Sequence, residues 1–181
     1  FDGENLILND DGGNIIIYSL DRQDRIFIFN FYKKKFKGIK KNLNLIVQNK
    51  IIYAADDMGY LYALDYSKQK LIWAHNYKVP FRSNLKIIDN KVVVSDQNNS
   101  ILIVDKKNGE KLRIFPTEEM TLKNEFINSF ALNENKLFYL NTFGTIYALD
   151  RQSLKINWFL NMNQSLDMNL NNLFYSNSVA A

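Results

Sequence analysis

Two pairs of adjacent carboxylates, Asp10-Asp11 and Asp56-Asp57, are the side chains of this sequence best suited to holding a hard cation. Calcium draws its ligands from such clustered oxygens. Both pairs fall where the flanking residues signal a tight turn, DDGGN and DDMGY, so they read as solvated turn residues and not as a metal site. His75, the only histidine, stands between Trp73 and Tyr77. Proton transfer would require a positioned partner, and none is identifiable, so His75 reads as an exposed strand residue. There are no cysteines, which excludes disulfides and thiolate chemistry without assigning a redox compartment. No catalytic, cofactor-binding or metal-ligating residue is assigned from these patterns.

The formal net charge is +4. Its densest cluster is YKKKFKGIKK, residues 32–41, which suits either a solvated loop or a contact for anionic lipid or nucleic acid. The loop reading is favoured. Elsewhere the lysines are spread over many turns and the aromatics alternate within apolar runs, so no nucleic-acid partner is expected.

The elements that carry these residues repeat. An Asp closes the runs IIIYSLD, YLYALD, SILIVD and TIYALD, at Asp21, Asp65, Asp105 and Asp150, giving spacings of 44, 40 and 45 residues. Around each anchor lie short runs rich in Ile, Val, Tyr and Phe, separated by Gly- and Asn-containing turns. The pattern gives four strands per unit, and no run keeps the apolar spacing of a helix. Short strands at this period read as an all-β fold, a β-propeller of four-stranded antiparallel blades.

The 181 residues, 46% hydrophobic, suffice for one core, and the whole of 1–181 is taken as a single partial propeller domain. The chain opens on the second strand of a unit and closes on NLFYSN, residues 172–177, one strand beyond four blades. About four blades are therefore expected, forming an open arc of a larger ring. No apolar segment approaches the roughly 20 residues that span a bilayer. The first residue is Phe, so a start and any secretory signal are expected upstream.

The Asp has a physical role: at a strand end, its carboxylate can accept hydrogen bonds from the turn that follows. The Ala two residues earlier is small enough for close approach. The Trp eight residues later offers a flat apolar surface and one N–H donor. Ala63, Asp65, Trp73, Asp105, Ala148, Asp150 and Trp158 are thus expected to dock one blade onto the next.

Ala63-x-Asp65 with Lys70 and Trp73, and Ala148-x-Asp150 with Lys155 and Trp158, resemble the tryptophan-docking motif of the quinoprotein-like (PQQ-repeat) β-propellers, Ala-x-Asp-x-x-Thr-Gly-Lys-x-x-Trp. The Thr-Gly step is replaced by Lys68-Gln69 and Ser153-Leu154. In the third unit Asn108-Gly109 keeps the glycine while Arg113 takes the place of Trp, and in the first Phe29 is assigned that place. Within this family the resemblance extends to the BamB-type lipoproteins of outer-membrane β-barrel assembly. It implies an arc of about half of a seven- or eight-bladed ring, in a periplasmic, outer-membrane-associated, non-catalytic scaffold that binds protein partners and is anchored through a residue outside this sequence. The alternatives are a fragment of a quinoprotein dehydrogenase, which would need calcium ligands and a catalytic Asp, and an extracytoplasmic sensor or recognition propeller.

Overall fold

The computed structural model describes residues 1–32, 34–36, 38–118 and 127–163. The run 172–177, read above as a further strand, lies outside the described residues. Two compact units are present, Phe1–Pro80 and Phe81–Ala181. Among the described residues, each holds two antiparallel sheets.

In the first unit, β1 (Asn5–Asn9), β2 (Asn14–Ser19) and β3 (Asp24–Asn30) form a three-stranded sheet in that order. A 3-10 turn at Lys34–Phe36 precedes the second sheet, β4 (Leu43–Gln48), β5 (Ile51–Asp56), β6 (Tyr60–Asp65) and β7 (Lys70–Asn76). In the second unit, β8 (Lys86–Ile88), β9 (Lys91–Ser95), β10 (Ile101–Asp105) and β11 (Lys111–Phe115) form the third sheet. The fourth sheet is β12 (Ser129–Leu132), β13 (Lys136–Leu140), β14 (Thr145–Asp150) and β15 (Ile156–Asn161). Every sheet is an up-and-down meander, the plan of a propeller blade. β1 occupies the place of β5, β9 and β13, so the chain does open on a second strand.

The middle strands are apolar on both faces, and in β5, β6, β9 and β10 nearly every residue is buried. The last strand of each sheet is charged or polar at intervals and largely exposed, as in β3, β11 and β15. In the first unit, Ile15 and Ile17 of β2 and Phe27 and Phe29 of β3 pack on Ile52, Ala54, Tyr62 and Leu64 of the second sheet. Phe31 stacks on Tyr62 with ring centroids 4.8 Å apart. In the second unit, Val93, Ile101, Ile103 and Phe115 pack on Phe130, Leu137, Tyr139, Tyr147 and Leu149. Each such large side chain taken from water contributes about 1.5–3 kcal/mol, so sheet-on-sheet burial dominates the stability of each unit.

One irregularity recurs. The pairing of each third strand with the fourth slips by one residue, at Ile17/Tyr18, Ala63/Leu64, Ile103/Val104 and Ala148/Leu149. These are β-bulges, which raise the local twist and re-aim side chains. They correct the sequence anchor of the first unit. Asn5 pairs with Ser19 as Ile51 pairs with Asp65, Lys91 with Asp105 and Lys136 with Asp150. Ser19 is therefore the equivalent of the motif Asp, and Asp21 lies two residues further, beyond the end of β2. The position of Trp shifts likewise: Ile17 pairs with Phe27 as Ala63 pairs with Trp73 and Ala148 with Trp158. Phe27, not Phe29, stands in the place of Trp.

Candidate functional site

Each sheet carries two side-chain locks, one at each end of its third strand. The first closes the hairpin that leads into that strand. Asp56 ends its second strand and Asp10, Asp96 and Asn141 directly follow theirs, and each Oδ1 accepts the backbone N–H four residues on: Asn14 at 2.9 Å, Tyr60 at 2.7 Å, Ser100 at 2.9 Å and Thr145 at 3.0 Å. The last three also accept the N–H two residues on, from Met58, Asn98 and Phe143. Three residues after each acceptor the backbone turns left-handed, at Gly13, Gly59, Asn99 and Gly144, with φ of 80°, 84°, 63° and 75°. Gly and Asn tolerate that conformation best, as the turn sequences led one to expect.

Asp56 departs from its expected role as a solvated turn residue: its exposure is 0%. The hydroxyl of Tyr32 donates to its Oδ2. Burial pushes the Asp56 carboxyl above the ordinary carboxylate range despite these donors, and raises Asp96 for the same reason. The Tyr32 phenol is raised by burial and by its bond to Asp56. Nor is the basic run uniformly solvated. Lys41 is 1% exposed. Its Nζ donates to the carbonyls of Phe36 at 2.7 Å and Ile39 at 2.6 Å, and lies 5.0 Å from the centre of the Tyr32 ring. Gly13 makes room for this arrangement, since a Cβ there would meet Tyr32 and Lys41 at about 2.5 Å. Asp11 stays in solvent, paired with Lys40 at 3.0 Å.

The second lock closes the hairpin that leaves the third strand. Asp65 Oδ1 accepts from the Ser67 hydroxyl at 2.7 Å and the Lys68 N–H at 3.0 Å. Asp150 Oδ1 accepts from the Ser153 hydroxyl at 2.7 Å and its N–H at 2.8 Å. The serine bonds hold both carboxyls below the ordinary range. Asp105 accepts from the Lys107 N–H at 2.7 Å and from Asn90 Nδ2 at 3.0 Å. In the first sheet Ser19 Oγ takes over, accepting the Arg22 N–H at 3.3 Å. Four residues past each anchor, Gln23, Gln69, Gly109 and Leu154 adopt φ of 51°, 53°, 73° and 53°. The left-handed turn that glycine favours in the family pattern is thus kept even where Gln or Leu stands in its place.

The two Trp residues meet different surroundings. Trp73 is 8% exposed, beside Tyr53 at 6.2 Å and His75 at 5.8 Å between ring centroids, and Ala63 is fully buried. His75 itself is an exposed strand residue. Trp158 is 42% exposed. It lies 6.2 Å from the ring of Phe138 and 5.8 Å from Lys136 Nζ, while its partner Ala148 is buried. Beside it is an apolar hollow of about 150 Å³ lined by Ala131, Phe138, Leu140 and Ile146. In the third sheet Arg113 replaces Trp and lays its guanidinium 3.9 Å from the ring centre of Phe115. Phe27, in the same position of the first sheet, packs on the second sheet.

The first lock was legible in the sequence only as a turn. Its acceptors recur at intervals of 46, 40 and 45 residues, which are also the intervals from Ser19 through Asp65 and Asp105 to Asp150. That agreement was the signal available for finding both locks.

No curated protein matches the chain. Among solved structures, BamB from Moraxella catarrhalis superposes with a TM-score of 0.71 at 16% identity, over 91% of this chain and 48% of that one. This chain thus spans about half the length of that BamB chain. The computationally designed protein Ika4 superposes with a TM-score of 0.66 at 12% identity, over 83% of this chain and 87% of that one. These likenesses show the propeller fold. The sequence profile of the outer membrane protein assembly factor BamB matches residues 30–121. With just over half of its residues matched, and with the bulge, Ala, Asp and Trp positions falling into register sheet after sheet, the chain belongs to the BamB family of PQQ-repeat β-propellers.

Proposed function

We propose that this chain is part of a non-catalytic propeller scaffold that binds protein partners during outer-membrane β-barrel assembly, on the periplasmic side of that membrane. The observation that carries this reading is the family match over residues 30–121. The chemistry described above supports it. The side chains sequence analysis singled out are engaged in locking hairpins and covering sheet faces, and the hairpin tips between second and third strands are left to present contacts. Phe143, at one such tip, is 37% exposed, and Asn98 occupies the same place in the third sheet. Exposed aromatics on rigid turns make efficient anchors at protein interfaces.

The test is site-specific photo-crosslinking in intact cells of the native host. A photoreactive residue at Phe143 or Asn98 of the full-length protein is expected to capture components of the outer-membrane assembly machinery. Absence of such adducts would overturn the reading. So would oxidation of alcohols or sugars that depends on added pyrroloquinoline quinone and calcium, which would favour a quinoprotein dehydrogenase.

A further inference from the structure

In the first unit, one face of the first sheet packs on one face of the second. Ile15, Ile17, Phe27 and Phe29 form one half of this interface, and Ile52, Ala54, Tyr62 and Leu64 the other. Strand register traces each half to a second place in the chain. Lys136 pairs with Asp150 as Asn5 pairs with Ser19, so Ile146 and Ala148 take the places of Ile15 and Ile17. Trp158 and Leu160, paired with Ala148 and Ile146, take those of Phe27 and Phe29. The opposite face of the fourth sheet, with Leu137, Tyr139, Tyr147 and Leu149, is the one packed on the third. Ile15 and Ile17 are fully buried, whereas Trp158 and Leu160 are exposed beside the apolar hollow that Ile146 and Phe138 line. The fourth sheet thus presents the first half of the interface uncovered.

The other half lies open on the first sheet. By the same register Leu6, Leu8, Ile16 and Tyr18 take the places of Ile52, Ala54, Tyr62 and Leu64. Side chains alternate along a strand, so these residues face away from Ile15 and Ile17. Leu6, Leu8 and Ile28, the last paired with Ile16, are exposed, whereas Ile52, Ala54, Tyr62 and Leu64 are fully buried. We propose that the open face of the fourth sheet docks on the open face of the first sheet of a second copy of this chain. The chain carries both halves of an interface whose fit is seen between its own first and second sheets, so a second copy supplies each face with its complement. Exposed apolar patches of this kind mark association surfaces. The two faces differ, so the contact is head-to-tail and not isologous. It does not depend on the reading of the hairpin tips.

Sedimentation velocity of the 181-residue chain tests the proposal. The chain is expected to be a monomer at about 1 μM and to associate at about 100 μM. Trp158→Glu puts a charge on one face and Ile28→Glu on the other, each at an exposed strand position. A charge buried without a partner disfavours the contact, so each variant alone should stay a monomer at about 100 μM with the far-UV dichroism of the parent. Mixed in equal amounts, the two should form a pair of one copy of each and nothing larger, because each supplies the face the other has lost. Leu160→Glu and Leu8→Glu serve as a second pair if either first variant folds poorly. The proposal is overturned if the parent is still a monomer at about 100 μM, which would leave these faces to further blades of a longer chain or to a different protein. It is equally overturned if either variant alone associates as the parent does, or if the mixture forms no pair.

Discussion

Tyr32 donates its hydroxyl proton to Asp56, a carboxylate with no exposed surface. The bond ties the segment after the first sheet to the turn that starts the third strand of the second. Asp56 also accepts two backbone N–H groups of its own turn. Removing it would orphan three donors at once. Asp56→Ala is expected to cost about 2–4 kcal/mol in urea unfolding. Asp56→Asn should cost less than about 1.5 kcal/mol, because an amide oxygen can keep the backbone bonds, as Asn141 does in the fourth sheet.

The same pair gives a pH dependence of known sign. The folded pKa of Asp56 is raised above 3.8 by burial. Its contribution is therefore fully present below the unfolded value and is lost as pH rises through the folded one. The stability of the parent relative to Asp56→Asn should grow as pH falls from 7 toward 4. Asp65 and Asp150, whose carboxyls are held low by serine bonds, act oppositely. Relative to Asp65→Asn, the parent should lose stability as pH falls below about 4. Paired chemical-denaturation curves across this range check both signs.

The two indoles should differ in worth. Trp73→Ala empties a site that is 8% exposed and is expected to cost about 3–5 kcal/mol. Trp158, 42% exposed, should cost less than about 1.5 kcal/mol when truncated in this chain. Equal losses in thermal unfolding would show that the open face of the fourth sheet is covered in solution.

Gly59 and Gln69 make a complementary pair of backbone tests. A Cβ on Gly59 would lie 2.9 Å from the Val79 carbonyl oxygen, at a φ of 84°. Gly59→Ala should cost at least about 2 kcal/mol. At Gly3, with φ 97° and no described atom within 4 Å, the same change should cost only about 1 kcal/mol. Gln69 carries a side chain at φ 53°. Gln69→Gly relieves that strain and should stabilise the chain by about 0.5–1 kcal/mol, net of the added freedom of the unfolded state.

The meander of short strands was legible because alternating β-branched and aromatic runs with Gly and Asn turns leave little else for the backbone to do. The first anchor was misread for a chemical reason. Ser19 does through a hydroxyl what Asp65 does through a carboxylate, and a nearby Asp21 offered the more familiar letter at nearly the same interval. The burial of Asp56 and Lys41 was not legible. Charged residues in a turn and in a basic run look solvated until Tyr32 and the 3-10 turn at Lys34–Phe36 are placed in space. The difference between Trp73 and Trp158 could not be read either, since it depends on what each face meets and not on the motif around it.

Both ends of every third strand are fastened by side chains of the two hairpins that adjoin it, so strand register is specified by local contacts. Segments outside these fastenings can then lengthen, shorten or change character without shifting the sheet beneath them. Transplanting the tip at Phe143 onto the hairpin of Asn98 should leave the recipient sheet's pairing untouched.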